Sequence, residues 1–284
     1  MAEIKNNRRY RDLVVGQDVY IPDVGIDYPE EDPMTKMLEE KPTRDVRIDQ
    51  DYPYYSNSLS FKIQHFAAYF LVYVPLMLKN VFVYGLRIEG RGVVRRNRKQ
   101  FKNGVMAVCN HCYRYDGAAL ALALRWHWLW IPMLKDHFMG KDYWYLRYFG
   151  GIPVPEDASA LKKFNMAFDE IHERKGWFLY FPEGRNWMYY KPLKPFHKGA
   201  FTMAYRYDIP VLPMAITYRE RRGLYRLFAP QSVPLMTVRI ADPIFPDTSK
   251  SRKEEVIRLL EESHAAVCRL AGIVRNTWPA EAAK

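Results

Sequence analysis

The chain has 284 residues, of which 49% are hydrophobic, and a formal net charge of +11. This length is sufficient for one large core, or for a core with an appendage. Three cysteines, an odd and low number, exclude a disulfide framework and indicate a reducing compartment. The first twelve residues, MAEIKNNRRYRD, lack the apolar core of a signal peptide, so we do not expect a secreted protein.

Residues 1–57 differ from the rest of the chain in charge. They contain 13 Asp and Glu against 8 Lys and Arg, a balance of −5, which leaves +16 on the remaining residues. They show no sustained hydrophobic period and are rich in Asp, Glu, Pro and Tyr, so we interpret them as an acidic N-terminal tail or arm. The strongly basic remainder suits an anionic membrane, the phosphates of coenzyme A, an acidic carrier protein or nucleic acid.

Residues 58–90 are predicted to be a membrane-associating helical segment. The run from Ile63 to Leu78 carries no formal charge and lies between Lys62 and Lys79. Its 16 residues fall short of the roughly 20 that cross a bilayer, and Pro75 would bend a helix. We therefore expect a bent or paired helix in one leaflet, with a core helix against the sheet and a transmembrane helix as the alternatives.

A basic cluster follows the apolar run. The stretch from Arg87 to Lys102 contains seven Lys and Arg residues against Glu89 alone. Next to an interfacial helix such a cluster would face anionic lipid, although a solvated loop has the same pattern. No reading helix or stacking motif accompanies the charge, so we expect no nucleic acid partner.

Predicted strands and helices alternate through residues 91–284. The expected strands are 105–109, 151–154, 177–181, 210–217 and 235–240, with an apolar run at 128–134, and the expected helices start at 117 and cover 142–148, 159–174, 199–207 and 254–271. One face of the helix 159–174 carries four apolar residues at helical spacing, Leu161, Phe164, Phe168 and Ile171. This alternation predicts an α/β fold with a mostly parallel central sheet flanked by helices, preceded by the membrane-facing helical element.

The first predicted strand of this body ends in polar residues. Asn110 and His111 follow Cys109, and Asp116 comes five residues after the histidine. On a continuous helix His111 and Asp116 would point about 140° apart, but a turn before the helix would let them meet. The carboxylate would then fix the imidazole tautomer and leave the other ring nitrogen as a base. The alternative is a buried histidine that satisfies a backbone group and an aspartate that caps the helix.

A second strand, 177–181, also ends in a polar turn, and at this point the chain resembles a known family. The PlsC-type glycerophospholipid acyltransferases carry Asn-His-x4-Asp, Phe-Pro-Glu-Gly, Phe-x-Lys-Gly-Ala-Phe and a proline-containing apolar strand, in that order. The matching residues are Asn110, His111 and Asp116; Phe181 to Gly184; Phe196 to Phe201; and Ile209 to Pro213. The order and spacing agree over roughly residues 85–245, and residues 91–284 are identified as the acyltransferase domain.

The resemblance implies transfer of a fatty acyl group from an acyl thioester to a hydroxyl of a lysophospholipid, with 1-acylglycerol-3-phosphate as the expected acceptor in phospholipid biosynthesis. It implies His111 as the catalytic base and Asp116 as the carboxylate that orients it. The implied substrate-binding residues are Asn110, Glu183, Gly184, Arg185 and Lys198, with Glu183 accepting a hydrogen bond from a free hydroxyl of the acceptor.

Two departures from the family pattern affect the acceptor. After Gly150-Gly-Ile-Pro-Val154 the chain continues Pro-Glu-Asp, where the family places an arginine. After Gly184 it continues Arg185-Asn-Trp, where the family has Thr-Arg-Ser. The family associates these arginines with the acceptor phosphate, and Arg185, Lys191, Lys194 or Lys198 could replace them, with a solvated lysine face as the alternative interpretation. A different lysolipid acceptor, a non-catalytic lipid-binding protein and a thioesterase are therefore the alternatives.

The resemblance implies no cofactor and no metal, with acyl-CoA or an acyl carrier protein thioester as co-substrate. Cys109 and Cys112 flank His111, but Cys268 is the only other thiol in the sequence, so we do not expect a zinc site. The expected partners are an anionic membrane surface, the acyl donor and the lysolipid acceptor. The expected location is the cytoplasmic face of the cell membrane, as a peripheral or monotopic protein.

Overall fold

The central sheet is the element that positions every other part of the molecule. A computed structural model of the chain describes residues 10, 12–29, 32–37, 42–113 and 115–282. In this part of the chain the strands are β1 (Val14–Val15), β2 (Arg87–Glu89), β3 (Val105–Cys109), β4 (Leu129–Met133), β5 (Gly151–Pro153), β6 (Trp177–Tyr180), β7 (Val211–Arg219), β8 (Leu235–Ile240) and β9 (Ile273–Arg275). The α-helices are α1 (Leu59–Ala68), α2 (Val74–Phe82), α3 (Arg91–Arg96), α4 (Asp116–Ala123), α5 (Asp136–Met139), α6 (Tyr143–Tyr148), α7 (Ala158–Glu173), α8 (Gly199–Tyr207) and α9 (Arg252–Ala271).

Seven strands form this sheet in the order β2-β8-β7-β3-β6-β4-β5. All neighbours are parallel except β7 and β8, which are antiparallel. The register pairs Val108 of β3 with Tyr180 of β6 and Cys109 with Met214 of β7. The polar turns that follow β3 and β6 therefore lie side by side at the carboxyl-terminal edge of the sheet.

Both faces of the sheet are covered by apolar layers, which is why β3 is apolar throughout. Its alternate residues pack into different layers, Ala107 on the side of α2 and α4 and Met106 and Val108 on the side of α7, α8 and α9. A strand buried on both faces needs a continuous apolar run rather than an alternating one. The predicted α/β fold with a mostly parallel sheet flanked by helices is confirmed.

The helix 159–174 of the sequence prediction corresponds to α7, with one difference on its apolar face. Phe164, Phe168 and Ile171 are buried against the sheet, as the helical spacing predicts. Leu161, predicted on the same face, is 46% exposed. The residue of the first turn that packs in this layer is Ala160, which lies one full turn before Phe164, so Leu161 points away from the sheet.

The described residues between 10 and 57 lie against the body as an arm. β1 pairs antiparallel with β9 near the other end of the chain. Val46, Ile48 and Tyr54 are buried in the layer that contains α7. Tyr28 donates a hydrogen bond to the carbonyl of Met188 at 2.6 Å. The Tyr28 contact holds this part of the arm over the loop that follows β6.

The apolar segment forms one helical stretch, Leu59–Phe82, in which a π-helical turn (Tyr69–Tyr73) joins α1 to α2. It is the one described helix that is long and apolar enough to cross a membrane by length and composition. Phe61, Tyr73 and Met77 pack into the body. The opposite side carries exposed apolar residues, Leu59, Ile63, Phe66, Phe70, Leu71, Leu78, Val81 and Phe82.

The basic stretch 87–102 is not the solvated loop that the sequence left open as an alternative. It contains β2, α3 and a 3-10 helix (Gln100–Asn103), and β2 pairs with β8 at the edge of the central sheet. The sheet therefore begins before residue 91, inside the segment predicted as 58–90. β2 has only three residues, and Arg87 and Glu89 point to solvent. Its sequence therefore lacks the apolar pattern from which a strand is predicted.

Candidate active site

Asn110 ties the end of β3 to β7. Its side-chain amide donates to the carbonyl of Ile216 at 3.1 Å, and its side-chain oxygen accepts from the Ile216 amide at 2.7 Å. This pair of hydrogen bonds is buried and imitates a sheet ladder at the point where the chain leaves the strand. The loop that begins at His111 therefore starts from a fixed position.

His111 and Asp116 meet in that loop. Nδ1 of His111 lies 2.9 Å from Oδ2 of Asp116, whose side chain is 1% exposed. The same oxygen accepts from the backbone amides of Cys112 at 3.0 Å and Tyr113 at 3.1 Å. Because Asp116 opens α4, the turn folds back and brings together two side chains that a continuous helix would separate. The hydrogen bond places the imidazole proton on Nδ1 and leaves the lone pair of Nε2 available.

The surroundings of the ring favour its neutral form. The imidazole stacks on Phe181 with ring centroids 4.2 Å apart, and its side chain is 17% exposed. Burial lowers the pKa of His111 below its usual 6.5, and the Lys194 ammonium lowers it further. Burial raises the pKa of Asp116, while the two loop amides oppose that shift. A neutral imidazole at neutral pH is the form that can accept a proton.

Glu183 connects the loop after β6 to the His111 loop. Oε1 accepts from the His111 backbone amide at 2.8 Å, and Oε2 accepts from the Lys194 amide at 3.2 Å. Burial raises the pKa of Glu183 to about 7, although Lys194 and both amides lower it. Each carboxylate oxygen thus holds one backbone segment, so Glu183 fixes the position of His111. Its expected contact with an acceptor hydroxyl stays a prediction.

Lys191 and Lys194 lie inside the fold rather than at a ligand surface. Nζ of Lys194 donates to the carbonyls of Arg185 at 2.6 Å and Pro33 at 3.3 Å. Nζ of Lys191 donates to the carbonyl of Ala271. Both ammonium groups therefore hold backbone segments together, and neither is placed to replace a missing phosphate ligand.

Arg185 and Lys198 are partly exposed, and each has a carboxylate partner. Arg185 lies 2.9 Å from Asp136, which also lies 3.3 Å from Lys36 of the arm. Lys198 lies 2.5 Å from Glu281. A phosphate at either cation would have to compete with an existing carboxylate.

Gly184 is at a position that only glycine fills without strain. Its φ is +74°, and an added Cβ would lie 3.0 Å from the Met34 sulfur of the arm. The Met34 sulfur also lies 3.3 Å from Nε2 of His197. The tight turn thus lets the arm approach the loop that carries Glu183.

Sequence reasoning missed Asp136, Phe181 as the ring beneath His111, and the arm contacts. Asp136 follows β4 by three residues and so lies at the same carboxyl-terminal edge, a signal that the strand pattern contained. The arm contacts are mostly to backbone carbonyls, such as that of Thr35, which accepts from the Trp187 indole at 3.0 Å. Such contacts depend on chain path and leave no residue pattern.

The cysteines around His111 are free and buried. Cys109 and Cys112 both contact the Asn110 side chain at 3.4 Å. In the described ranges no group of three or more His, Cys, Asp or Glu side chains is placed to hold a metal ion.

Comparisons with known proteins address the family of the chain. The family model described as Acyltransferase matches residues 86–217, the stretch that contains both polar turns. A crystal structure titled "1-acyl-sn-glycerophosphate (LPA) acyltransferase, PlsC, from Thermotoga maritima" is similar at a TM-score of 0.45 and 17% identity, covering 74% of this chain and 86% of that one. No curated protein sequence matches the chain.

The matched stretch begins at β2 and ends in β7, so it contains the strands that position the His111–Asp116 pair and Glu183. The four motifs that indicated the resemblance lie within it in the family's order. Residues 86–217 match the Acyltransferase family model, in agreement with the PlsC-type resemblance that the four motifs indicate.

Proposed function

We propose that the protein is a membrane-associated O-acyltransferase. It would transfer a fatty acyl group from acyl-CoA or an acyl carrier protein thioester to a hydroxyl of a lysophospholipid, with 1-acylglycerol-3-phosphate as acceptor. The observation that carries this proposal is the 2.9 Å hydrogen bond between His111 and Asp116 at the edge of the sheet where α/β folds place their chemistry.

The dyad supports a mechanism of general base catalysis. Nε2 of His111 takes the proton of the acceptor hydroxyl while the oxygen attacks the thioester carbonyl carbon. The resulting tetrahedral centre collapses, the carbon–sulfur bond breaks, and the thiolate takes the proton back from the imidazolium. Asp116 keeps the ring oriented and stabilises the imidazolium between the two transfers. A positioned base of this kind contributes about 10²–10⁴ in rate.

Asn110 and Glu183 would serve this mechanism as positioning residues. Both bind backbone with their side-chain atoms and so hold the His111 loop against β6 and β7. The bonds made by these two side chains cost no reorganisation when the substrate arrives, which is the property of a preorganised site. No cofactor or metal takes part in the proposed reaction.

The exposed apolar side of Leu59–Phe82 supports membrane association. Large contiguous apolar surfaces on a folded protein mark membrane or protein contacts. Trp126 lies beside the helix, 6.4 Å from Tyr69, and extends this surface with an exposed indole. Tryptophan is enriched where proteins meet the lipid headgroups. A helix lying in one leaflet at the cytoplasmic face of the cell membrane fits this surface and the basic stretch that follows it.

The acceptor has two candidates. Arg185 and Lys198 border the loop that carries Gly184 and Glu183 and could bind a phosphate, which supports 1-acylglycerol-3-phosphate. The 2.9 Å pairing of Arg185 with Asp136 favours the second candidate, a lysolipid whose headgroup does not need an arginine.

Incubation of the purified protein with labelled acyl-CoA and a panel of acceptors tests the proposal. We expect acyl transfer to a lysophospholipid, and a loss of about 10²–10⁴ in rate for His111→Ala because the base is absent. His172→Ala, on α7, is the matched control because that ring stacks on Tyr207 away from the dyad. Circular dichroism would establish that both variants remain folded.

The acceptor panel separates the remaining alternatives. Transfer to 1-acylglycerol-3-phosphate alone would support the first candidate, and transfer to another lysolipid the second. Release of free fatty acid without transfer would indicate a thioesterase. Full activity in the His111→Ala variant, or no turnover with any acceptor, would reject the proposed reaction.

A further inference from the structure

A cleft of about 1000 Å³ lies at the edge of the sheet opposite the dyad. Its floor is formed where β4 and β6 begin, and it is bordered by the ends of α4 and α7 and by the basic stretch after α3. Six cationic side chains line it, Arg95, Arg98, Lys102, Arg125, Arg174 and Lys175. The cleft is separate from the acyl transfer site because β3, β4 and β6 run their full length between the two edges.

The positive charge in this cleft is largely uncompensated. Among the described residues, Arg174 alone of the six forms an ion pair, with Glu170 at 3.6 Å. The carboxyl ends of α4 and α7 contribute roughly half a negative charge each. Six positive charges against one carboxylate and two helix ends leave a balance of about +4. The cleft therefore contains more cations than are needed to offset the negative ends of the two helices.

Two of the cations occupy backbone positions where glycine is the usual residue. Arg125 has φ +62° and Lys175 has φ +60°. Each follows a helix whose last turn is closed by an i to i−5 hydrogen bond, from Trp126 to Ala121 and from Gly176 to Ile171. Glycine is preferred at this position because other residues are strained there. The chain therefore places a cation at each of these two helix ends although the backbone conformation favours glycine.

The aromatic residues of the cleft are already stacked on their neighbours. The Trp128 ring lies 3.3 Å from that of His65 and 4.8 Å from that of Trp130, measured between centroids. The Trp177 ring lies 3.8 Å from that of His127. These contacts favour a ligand recognised by its phosphate over one recognised by stacking of a base.

Trp128 connects the cleft to the exposed apolar helix. Phe61 and His65 of α1 both stack on Trp128, so the first turns of the helix pack against a residue that lines the cleft. Leu59 and Ile63, in the same turns, are exposed. A ligand with a phosphate and an attached apolar chain would meet both features at once.

We propose that this cleft binds the phosphate headgroup of an anionic phospholipid and so anchors the amino-terminal edge of the sheet to the bilayer. The proposal rests on the membrane association proposed above and adds a defined, non-catalytic lipid site to it. It predicts that positive charge inside the cleft contributes more to vesicle binding than equal charge in the part of the basic stretch outside the cleft.

Co-sedimentation with vesicles of phosphatidylcholine, with and without phosphatidylglycerol, tests this. The full-length protein carries either Arg98→Gln, Arg125→Gln and Lys175→Gln together, or the matched set Arg87→Gln, Arg96→Gln and Lys99→Gln outside the cleft. We expect binding to phosphatidylglycerol vesicles to weaken on the order of a hundredfold for the cleft set and less than tenfold for the control set. Acyl transfer to detergent-solubilised acceptor should be unchanged in both.

Four outcomes would count against the cleft. Equal weakening in the two sets would mean delocalised surface charge and overturn the site. Inorganic phosphate could stabilise the unaltered protein against heat but not the cleft variant, while both bind vesicles equally. That result would assign the cleft to a free anion instead of a headgroup. If the unaltered protein binds no vesicle, the proposed membrane association is overturned as well. If vesicle binding is the same with and without the cleft substitutions, only this inference is overturned.

Discussion

The two edges of the central sheet use polar residues in opposite ways. At the carboxyl-terminal edge, Asn110, Asp116 and Glu183 are buried and bonded to backbone amides or carbonyls. At the amino-terminal edge, the cations of the basic cleft are exposed, and Arg174 is the one with a carboxylate partner among the described residues.

The difference indicates what each edge is built to meet. Buried polar groups are tolerated only when they are hydrogen-bonded, so the first edge is fixed before any substrate arrives. Exposed cations that face one another repel, so the second edge gains stability from a ligand that brings negative charge. The first arrangement suits chemistry that needs geometry, and the second suits attraction to an anionic surface.

The largest effect is expected from Asp116→Asn. The asparagine oxygen would still accept from the Cys112 and Tyr113 amides, so the loop should keep its fold. It has no charge to stabilise the imidazolium, so we expect the acyl transfer rate to fall on the order of 10²–10⁴-fold. Initial rates at saturating substrate, with the unfolding midpoint as a second readout, measure this.

Asp242→Asn serves as the control for that substitution. Asp242 is an exposed carboxylate 3.5 Å from Arg96, and its change should leave the rate unaltered. Comparable rates in the two variants would mean that the carboxylate beside His111 has no part in catalysis.

Glu183→Gln should act mainly on stability. One of its two carboxylate oxygens becomes an amino group that must face a backbone N–H, either of His111 or of Lys194. Leaving a buried donor unsatisfied costs about 1–3 kcal/mol, and losing a hydrogen bond to a charged acceptor costs a similar amount. We expect the free energy of unfolding in urea to fall by about 2–3 kcal/mol, with a smaller loss of rate as the His111 loop loosens.

The Michaelis constant for the acceptor distinguishes this structural role of Glu183 from a role in substrate binding. If Glu183 mainly contacts the acceptor hydroxyl, the Michaelis constant would rise while the unfolding free energy stayed constant. Glu156→Gln, whose exposed carboxylate lies 3.5 Å from Lys135, provides the matched surface change.

The carboxyl-terminal edge was far more predictable from the sequence than the amino-terminal one. β3 and β6 are buried on both faces, so their apolar runs stand out, and the polar residues that follow them must meet in a parallel sheet. The proximity of His111, Asp116 and Glu183 follows from that alone. Their hydrogen bonds to backbone amides cannot be predicted in this way, because every residue other than proline has a backbone amide and the sequence does not show which one is used.

The amino-terminal edge depends on contacts between distant parts of the chain. The cleft takes Arg98 from the stretch after α3, Arg125 from the end of α4 and Lys175 from the end of α7. Each of these appears in the sequence as an ordinary solvated cation beside a helix end. The arm is similar, since Tyr28 packs against Trp187, more than a hundred positions away in the sequence.

The smallest effect, and the sharpest contrast with Glu183→Gln, is expected from Lys175→Gly. A non-glycine residue in the left-handed conformation is strained by roughly 1–2 kcal/mol, and glycine costs about 0.5–1 kcal/mol in the entropy of the unfolded chain. With φ at +60°, replacing Lys175 by glycine should therefore leave the free energy of unfolding unchanged or raise it by up to about 1.5 kcal/mol. Lys175→Gln keeps the strain and removes the charge, so the difference between the two variants in urea unfolding isolates the backbone contribution. A loss of stability in the glycine variant beyond that in the glutamine variant would mean that the side chain of Lys175 holds the fold together, and the contrast between the two edges would then fail at this residue.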